Sequence, residues 1–100
     1  MSAYCFFDVL EVTDAEKMEA YRARVYTTVA NHGGRYVVIG GPLEVVEGHW
    51  KPAFPVMIEF PSLDAARRWY DSSEYAPLKA LRLAATRGNA VFMAAPTGVH

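Results

Sequence analysis

Residues 3–12, AYCFFDVLEV, alternate between two nearly apolar sets. Tyr4, Phe6, Asp8 and Leu10 fall on one face of an extended chain, and Cys5, Phe7, Val9 and Glu11 on the other. Aromatic and branched residues make this a strand buried on both sides, with Asp8 the polar exception. The period then changes. Met18, Tyr21, Val25 and Val29 recur at spacings of three and four and draw one apolar stripe along a helix, while Glu16, Lys17, Arg22 and Arg24 lie mostly off it. Thr13-Asp14-Ala15-Glu16 has the form of a capping box, with Thr13 as the expected cap. Gly33-Gly34 stops the helix after about Asn31, because glycine accepts the left-handed geometry of a helix end.

Alternation returns at residues 35–46, RYVVIGGPLEVV, a second strand in which Gly40-Gly41-Pro42 marks a bulge or bend. Residues 47–54 form a loop, and 55–60 a third strand with Val56, Ile58 and Phe60 facing one way and Met57 and Glu59 the other. Pro61 ends it, and Ser62 caps a helix whose stripe is Leu63, Ala66 and Tyr70, with Trp69 beside it. A second cap at Asp71-Ser72-Ser73-Glu74 precedes another helix, with Pro77 in its first turn and Leu78, Leu81 and Ala85 inward. Gly88 and Asn89 are expected to turn the chain into a last strand, residues 90–95, before a frayed tail at 97–100.

Strand, helix, strand, strand, split helix, strand is the βαββαβ order of a ferredoxin-like α+β domain, here residues 1–96. The expected antiparallel sheet has the order 4-1-3-2, with the first and third strands as central, parallel neighbours and the helices on one face. The other face carries Asp8, Met57, Glu59 and several aromatics, and is too apolar to meet water. A homodimer that packs two such faces together, closing a dimeric α/β barrel, is the economical solution.

Composition narrows the function more than it names it. The 100 residues are 52% hydrophobic, with a formal net charge of −1, so no basic excess attracts nucleic acid. One cysteine excludes an internal disulfide and a cysteine-rich zinc site, and fits a cytoplasmic protein. No signal-peptide pattern opens the chain, and no apolar run approaches the roughly 18 residues of a membrane span. His32, His49 and His100 have no metal-ligand spacing, and no cofactor motif is present, Gly40-Gly41-Pro42 lacking the Lys-Ser/Thr of a phosphate loop.

Asp8 and Glu59 are the sharpest candidates for chemistry. On adjacent strands they point into one cavity, where mutual repulsion raises one pKa and divides base from acid. The alternative is a structural network in which Arg35, Arg82 or a backbone amide neutralises them. Arg82, one residue past Leu81, either orients an anionic substrate or pairs with Glu74, Glu59 or a helix-end carbonyl. Arg35 stands between the same two roles. His49 and Trp50, on the loop before the third strand, line a cavity entrance or lie exposed; Trp50 also suits an interface. Tyr21, Tyr36, Tyr70 and Tyr75 offer phenols to a ligand or belong to the core. Cys5 is expected to be buried and inert.

GGRYVVIGGPLEVVEGHWKP followed by MIEFPSLDAARRWYDSSEYAPLKALR resembles the DUF1330 family of small bacterial proteins. The likeness runs from the first strand to Arg82. It is most specific in Ile58–Ser62, in Trp69–Ser72 with Glu74-Tyr75, and in Leu81-Arg82. His49 departs from the family pattern, so the resemblance lends it no role. The resemblance implies membership of the dimeric α/β-barrel superfamily, whose distant members include quinone-forming monooxygenases, muconolactone-type isomerases and haem enzymes. It implies no settled activity for this family. Two functions therefore stand side by side. One is a cofactor-independent enzyme on a small aromatic or anionic metabolite, with isomerase, lactone or monooxygenase-like chemistry. The other is a non-catalytic homodimer that binds a small ligand or serves structure.

Overall fold

The computed structural model describes residues 2–96, so the tail at 97–100 lies outside the described residues. The elements are β1 (Ala3–Val12), α1 (Ala15–Asn31), β2 (Arg35–Ile39), β3 (Pro55–Phe60), α2 (Leu63–Tyr70), α3 (Ala76–Ala85) and β4 (Thr86–Ala94). They form the ferredoxin-like fold: one four-stranded sheet in the order β2-β3-β1-β4, with the helices on one face. Only 17 Å deep, the molecule has two layers, and no helix of the described residues covers the second sheet face, which meets only part of the 40–54 segment.

Local chemistry explains each boundary. The cap of α1 is Asp14 rather than Thr13: its carboxylate accepts from the Lys17 amide at 3.1 Å, while the Thr13 and Asp14 amides donate to the Ala85 carbonyl at the end of α3. At its other end Gly33, at φ +78°, reverses the chain, and the Gly34 and Gly33 amides return to the Val29 and Ala30 carbonyls. Ser62 caps α2 as expected, accepting from the Ala65 amide at 3.0 Å. Its inner face turns on Ala65, Ala66 and a fully buried Trp69, whereas Leu63 is 41% exposed.

Three expectations are corrected. β1 and β3 are antiparallel neighbours, pairing Tyr4 with Glu59 and Asp8 with Pro55. The crossover through α1 makes β1 and β2 parallel, and the reversal between β2 and β3 then inverts β3. β2 stops at Ile39 and does not resume after the glycines, so residues 40–54 carry no regular structure; the bulge lies earlier, between Tyr36 and Val38. β4 begins at Thr86, directly after α3, so Gly88 is a strand residue and not a turn. It faces a second bulge between Val9 and Glu11, and any Cβ there would press on the Asp8 carbonyl oxygen.

Candidate functional site

Alternation along the strands sorts the candidate residues to opposite sides of the sheet. Cys5 and Phe7 of β1, Ile58 and Phe60 of β3 and Phe92 of β4 face the helices and join Met18, Tyr21, Val25, Val29, Trp69, Tyr75 and Leu78 in the core. Tyr4, Phe6, Asp8 and Glu59 lie on the other face. Asp8 and Glu59 share that face but not a cavity. Glu59 stands opposite Tyr4, four residues from Asp8, or roughly 13 Å along the strand at ~3.3 Å per residue.

Each carboxylate has a local occupation. Asp8 is 2% exposed, and its Oδ1 accepts from the Ala53 and Phe54 amides at 2.9 and 3.2 Å, fastening the end of the 40–54 segment to β1. Its Oδ2 is buried without a hydrogen-bond partner among the described residues. Glu59 accepts from Ser2 Oγ at 2.8 Å and Tyr4 Oη at 3.4 Å, and pairs with Arg35 Nη2 at 2.7 Å. The Ser2 hydroxyl first, then Arg35, hold the Glu59 carboxyl below its ordinary value, against some desolvation. The raised carboxyl pKa expected of a repelling pair is therefore not found at Glu59. With Ser2, Gly33, Arg35, Phe60 and Pro61 it lines a shallow, polar cleft.

A deeper cavity opens on the helix side. It measures about 370 Å³, at the small end of the ~300–1,000 Å³ of ligand pockets. Phe7, Met18, Val25 and Ile58 make its apolar floor, and Tyr26, Ile39, Ala53 and Phe54 its rim. Tyr21, Tyr36 and Arg82 also line it.

Arg82 is half-buried here, its guanidinium carbon 5.1 Å from the centre of the Phe7 ring. Neither Glu74, Glu59 nor a helix-end carbonyl holds it. Its Nε donates to the Tyr75 hydroxyl at 3.2 Å, and among the described residues no carboxylate lies within 4.0 Å of it. The Tyr75 hydroxyl in turn lies 2.9 Å from that of Tyr21.

Tyr75 is fully buried, and its hydroxyl accepts from Arg82 and shares a hydrogen bond with that of Tyr21 in which either can be the donor. Burial first, then the neighbouring Tyr75, pushes the Tyr21 hydroxyl well above the usual phenol range; burial takes Tyr36 above it too and raises Tyr75 against the pull of Arg82. These phenols stay neutral at ordinary pH and serve as hydrogen-bond donors.

The structure thus brings Tyr21 and Arg82 together and leaves the other candidates apart. Arg35 is on the opposite face with Glu59. His49 is exposed. Trp50, 63% exposed, meets the edge of Phe6 with ring centres 5.9 Å apart on the bare face. Cys5 is buried, its thiol pushed up to about 12 by desolvation. Among the described residues, no three His, Cys, Asp or Glu side chains gather to hold a metal ion. Sequence reasoning missed the link through Tyr75. Its signal was the interval of seven from Tyr75 to Arg82, two helical turns, which sets both on one face.

Comparison with known proteins agrees with this architecture. The model of the family described as a domain of unknown function, DUF1330, matches residues 2–96. No curated protein matches the chain by sequence. A solved protein of unknown function from Rhodopseudomonas palustris is similar at 16% identity, with TM-score 0.75, over 96% of this chain and 83% of that one. SnoaB, a cofactor-independent oxygenase from Streptomyces nogalater, is similar at 19% identity and TM-score 0.58, over 98% and 94%. A Mycobacterium tuberculosis protein is similar at 13% identity and TM-score 0.58, over the whole of both chains. At these identities the likeness concerns the fold.

Proposed function

The chain belongs to the DUF1330 family, and for it we propose a small-molecule function centred on the cavity beneath α1. It takes a small, largely apolar metabolite, aromatic or conjugated, that carries an anionic oxygen, and it acts on that metabolite without a cofactor. One observation carries this reading: a half-buried guanidinium faces an apolar cavity with no carboxylate of the described residues beside it. A buried cation left this way favours an anionic partner from outside. Arg82 orients the ligand and Tyr21 donates to it, roles the sequence already offered them. Asp8, Glu59, Arg35, His49 and Trp50 take no part at this cavity.

The preference for chemistry over mere binding comes from the donors. Neutral phenols and a guanidinium, preorganised in a largely apolar space, stabilise charge that develops on a substrate oxygen. Isomerisation or oxygenation of an activated substrate needs that, and the fold is compatible with cofactor-free oxygenation, the activity named for SnoaB. A second reading, a binder that leaves its ligand unchanged, is favoured by the absence of Asp8 and Glu59 from the cavity. Both readings include a homodimer through the bare sheet face, where Val38, Val91, Met93 and Trp50 are exposed.

A thermal-shift screen against small aromatic carboxylates, phenols and enols tests the site. A ligand at 100 times its Kd raises stability by about 2.7 kcal/mol. The expected hits are lost in Arg82→Gln and weakened in Tyr21→Phe; hits that survive Arg82→Gln unchanged contradict the site. Mass spectrometry after incubating a hit in air then separates turnover from binding.

A further inference from the structure

The cavity selects not only for charge but for a particular kind of acid. We propose that it holds its ligand as an oxyanion which the site itself stabilises. The ligand is thus a weakly acidic enol or phenol, bound as its conjugate base between the Arg82 guanidinium and the Tyr21 hydroxyl. This rests on the reading of the cavity as the ligand site.

Three features lead to this class. First, the two groups that converge on the ligand oxygen are donors. Arg82 has no acceptor; Tyr75 accepts from Arg82 and has the Tyr21 oxygen 2.9 Å away, and with the Tyr75 proton assigned to that oxygen the Tyr21 proton is free for the ligand. A neutral ligand hydroxyl would bring a third proton to them, whereas an anionic oxygen accepts from both. Second, with Nε committed to Tyr75, the side-on fork of Arg82 is spent. A carboxylate needs partners for two oxygens and loses its best bidentate approach; a phenolate or enolate needs partners for one. Third, the floor directly beyond these donors is Phe7, Met18, Val25 and Ile58, which suits a carbocycle attached to that oxygen without a spacer.

The charges around the site agree. Arg82 brings a cation, Arg22 at the rim is paired with Glu19 at 3.6 Å, and Tyr21, Tyr36 and Tyr75 bring no charge at neutral pH. Glu11, the acidic residue on the lining, is exposed and held by Arg87 at 3.3 Å. The cavity wall holds no carboxylate in reach of Arg82 to take the ligand proton, so that proton leaves to water through the open mouth. Only the ligand O–H bond breaks, and its electron pair stays on oxygen.

The test uses 4-nitrophenol, whose anion absorbs where the neutral form does not. Calorimetry with the intact protein first measures binding of 4-nitrophenol, benzoate and nitrobenzene; absorbance then follows the bound phenol across pH. The expected result is ionisation at least about one pH unit lower when bound, a tenfold preference for the phenolate. The shift disappears in Arg82→Gln and shrinks in Tyr21→Phe, which keeps the ring and so the packing of α1. Bound 4-nitrophenol that titrates at its free value overturns the proposal and leaves the cavity reading standing, as does benzoate binding tenfold tighter than the phenolate. Silence from all three probes at millimolar concentration overturns the cavity reading as well.

Discussion

At the scale of the residue, the sequence leaves Asp8 and Arg82 each between two roles, chemistry at a cavity or a structural partnership. In three dimensions Asp8 is a fastening, holding the Ala53 and Phe54 amides that form part of the cavity rim. Asp8→Ala is expected to cost about 1–3 kcal/mol in urea denaturation and to speed hydrogen exchange at both amides. Asp8→Asn, which keeps one acceptor oxygen, loses less. Among the described residues no carboxylate lies within 4.0 Å of Arg82, a fact no spacing rule could supply, because what matters is which carboxylates fail to reach it. Glu59 gives a pH signature. Its folded-state pKa lies below the unfolded one, so its stabilising effect is full above the unfolded value of about 4.3 and fades as pH falls through the lower, folded value. Glu59→Gln should flatten the acid limb of a melting-temperature profile below about pH 4 and leave 4-nitrophenol binding unchanged; loss of binding would move the site to the other sheet face.

At the scale of the element, hydrophobic period gave the helices and strands, and what it missed lay where tertiary contacts decide. Glycines show the division. Gly33 ends α1 by a local rule visible in the sequence. Gly88 carries the same letter but sits in β4 because β1 approaches too closely there for a side chain, and only the paired strand reveals that. Gly88→Ala drives a methyl group against the Asp8 carbonyl oxygen, so it should lower stability by at least about 1–3 kcal/mol in equilibrium denaturation. The 40–54 segment failed to extend β2 for a related reason. Gly40 and Gly41 take φ of +63° and +88°, and Phe54 folds back over Gly40, so the chain leaves the sheet plane. That departure brings Ile39, Ala53 and Phe54 to the cavity rim.

At the scale of the whole molecule, the sheet divides two tasks between its faces. The helix side holds the core and the cavity. The bare side holds Glu59 with Arg35, and exposed Val38, Val91 and Met93. The order of elements alone made this division legible, but not which face would carry the donors, because Tyr75 lies between α2 and α3 and meets Tyr21 only on folding. Covering the bare face by a second copy predicts sedimentation at twice 11.1 kDa, and a Met93→Lys variant that sediments as a monomer. An 11.1 kDa species alone at micromolar concentration would remove the barrel. The central claim, that ligands enter between α1 and the sheet, is tested most directly by methyl NMR during titration with 4-nitrophenolate. The account predicts saturable shifts at the methyls of Met18, Val25 and Ile58, with Met57 and Met93 on the other face unmoved. Shifts confined to Met57 and Met93, or none anywhere at saturating ligand, would contradict it.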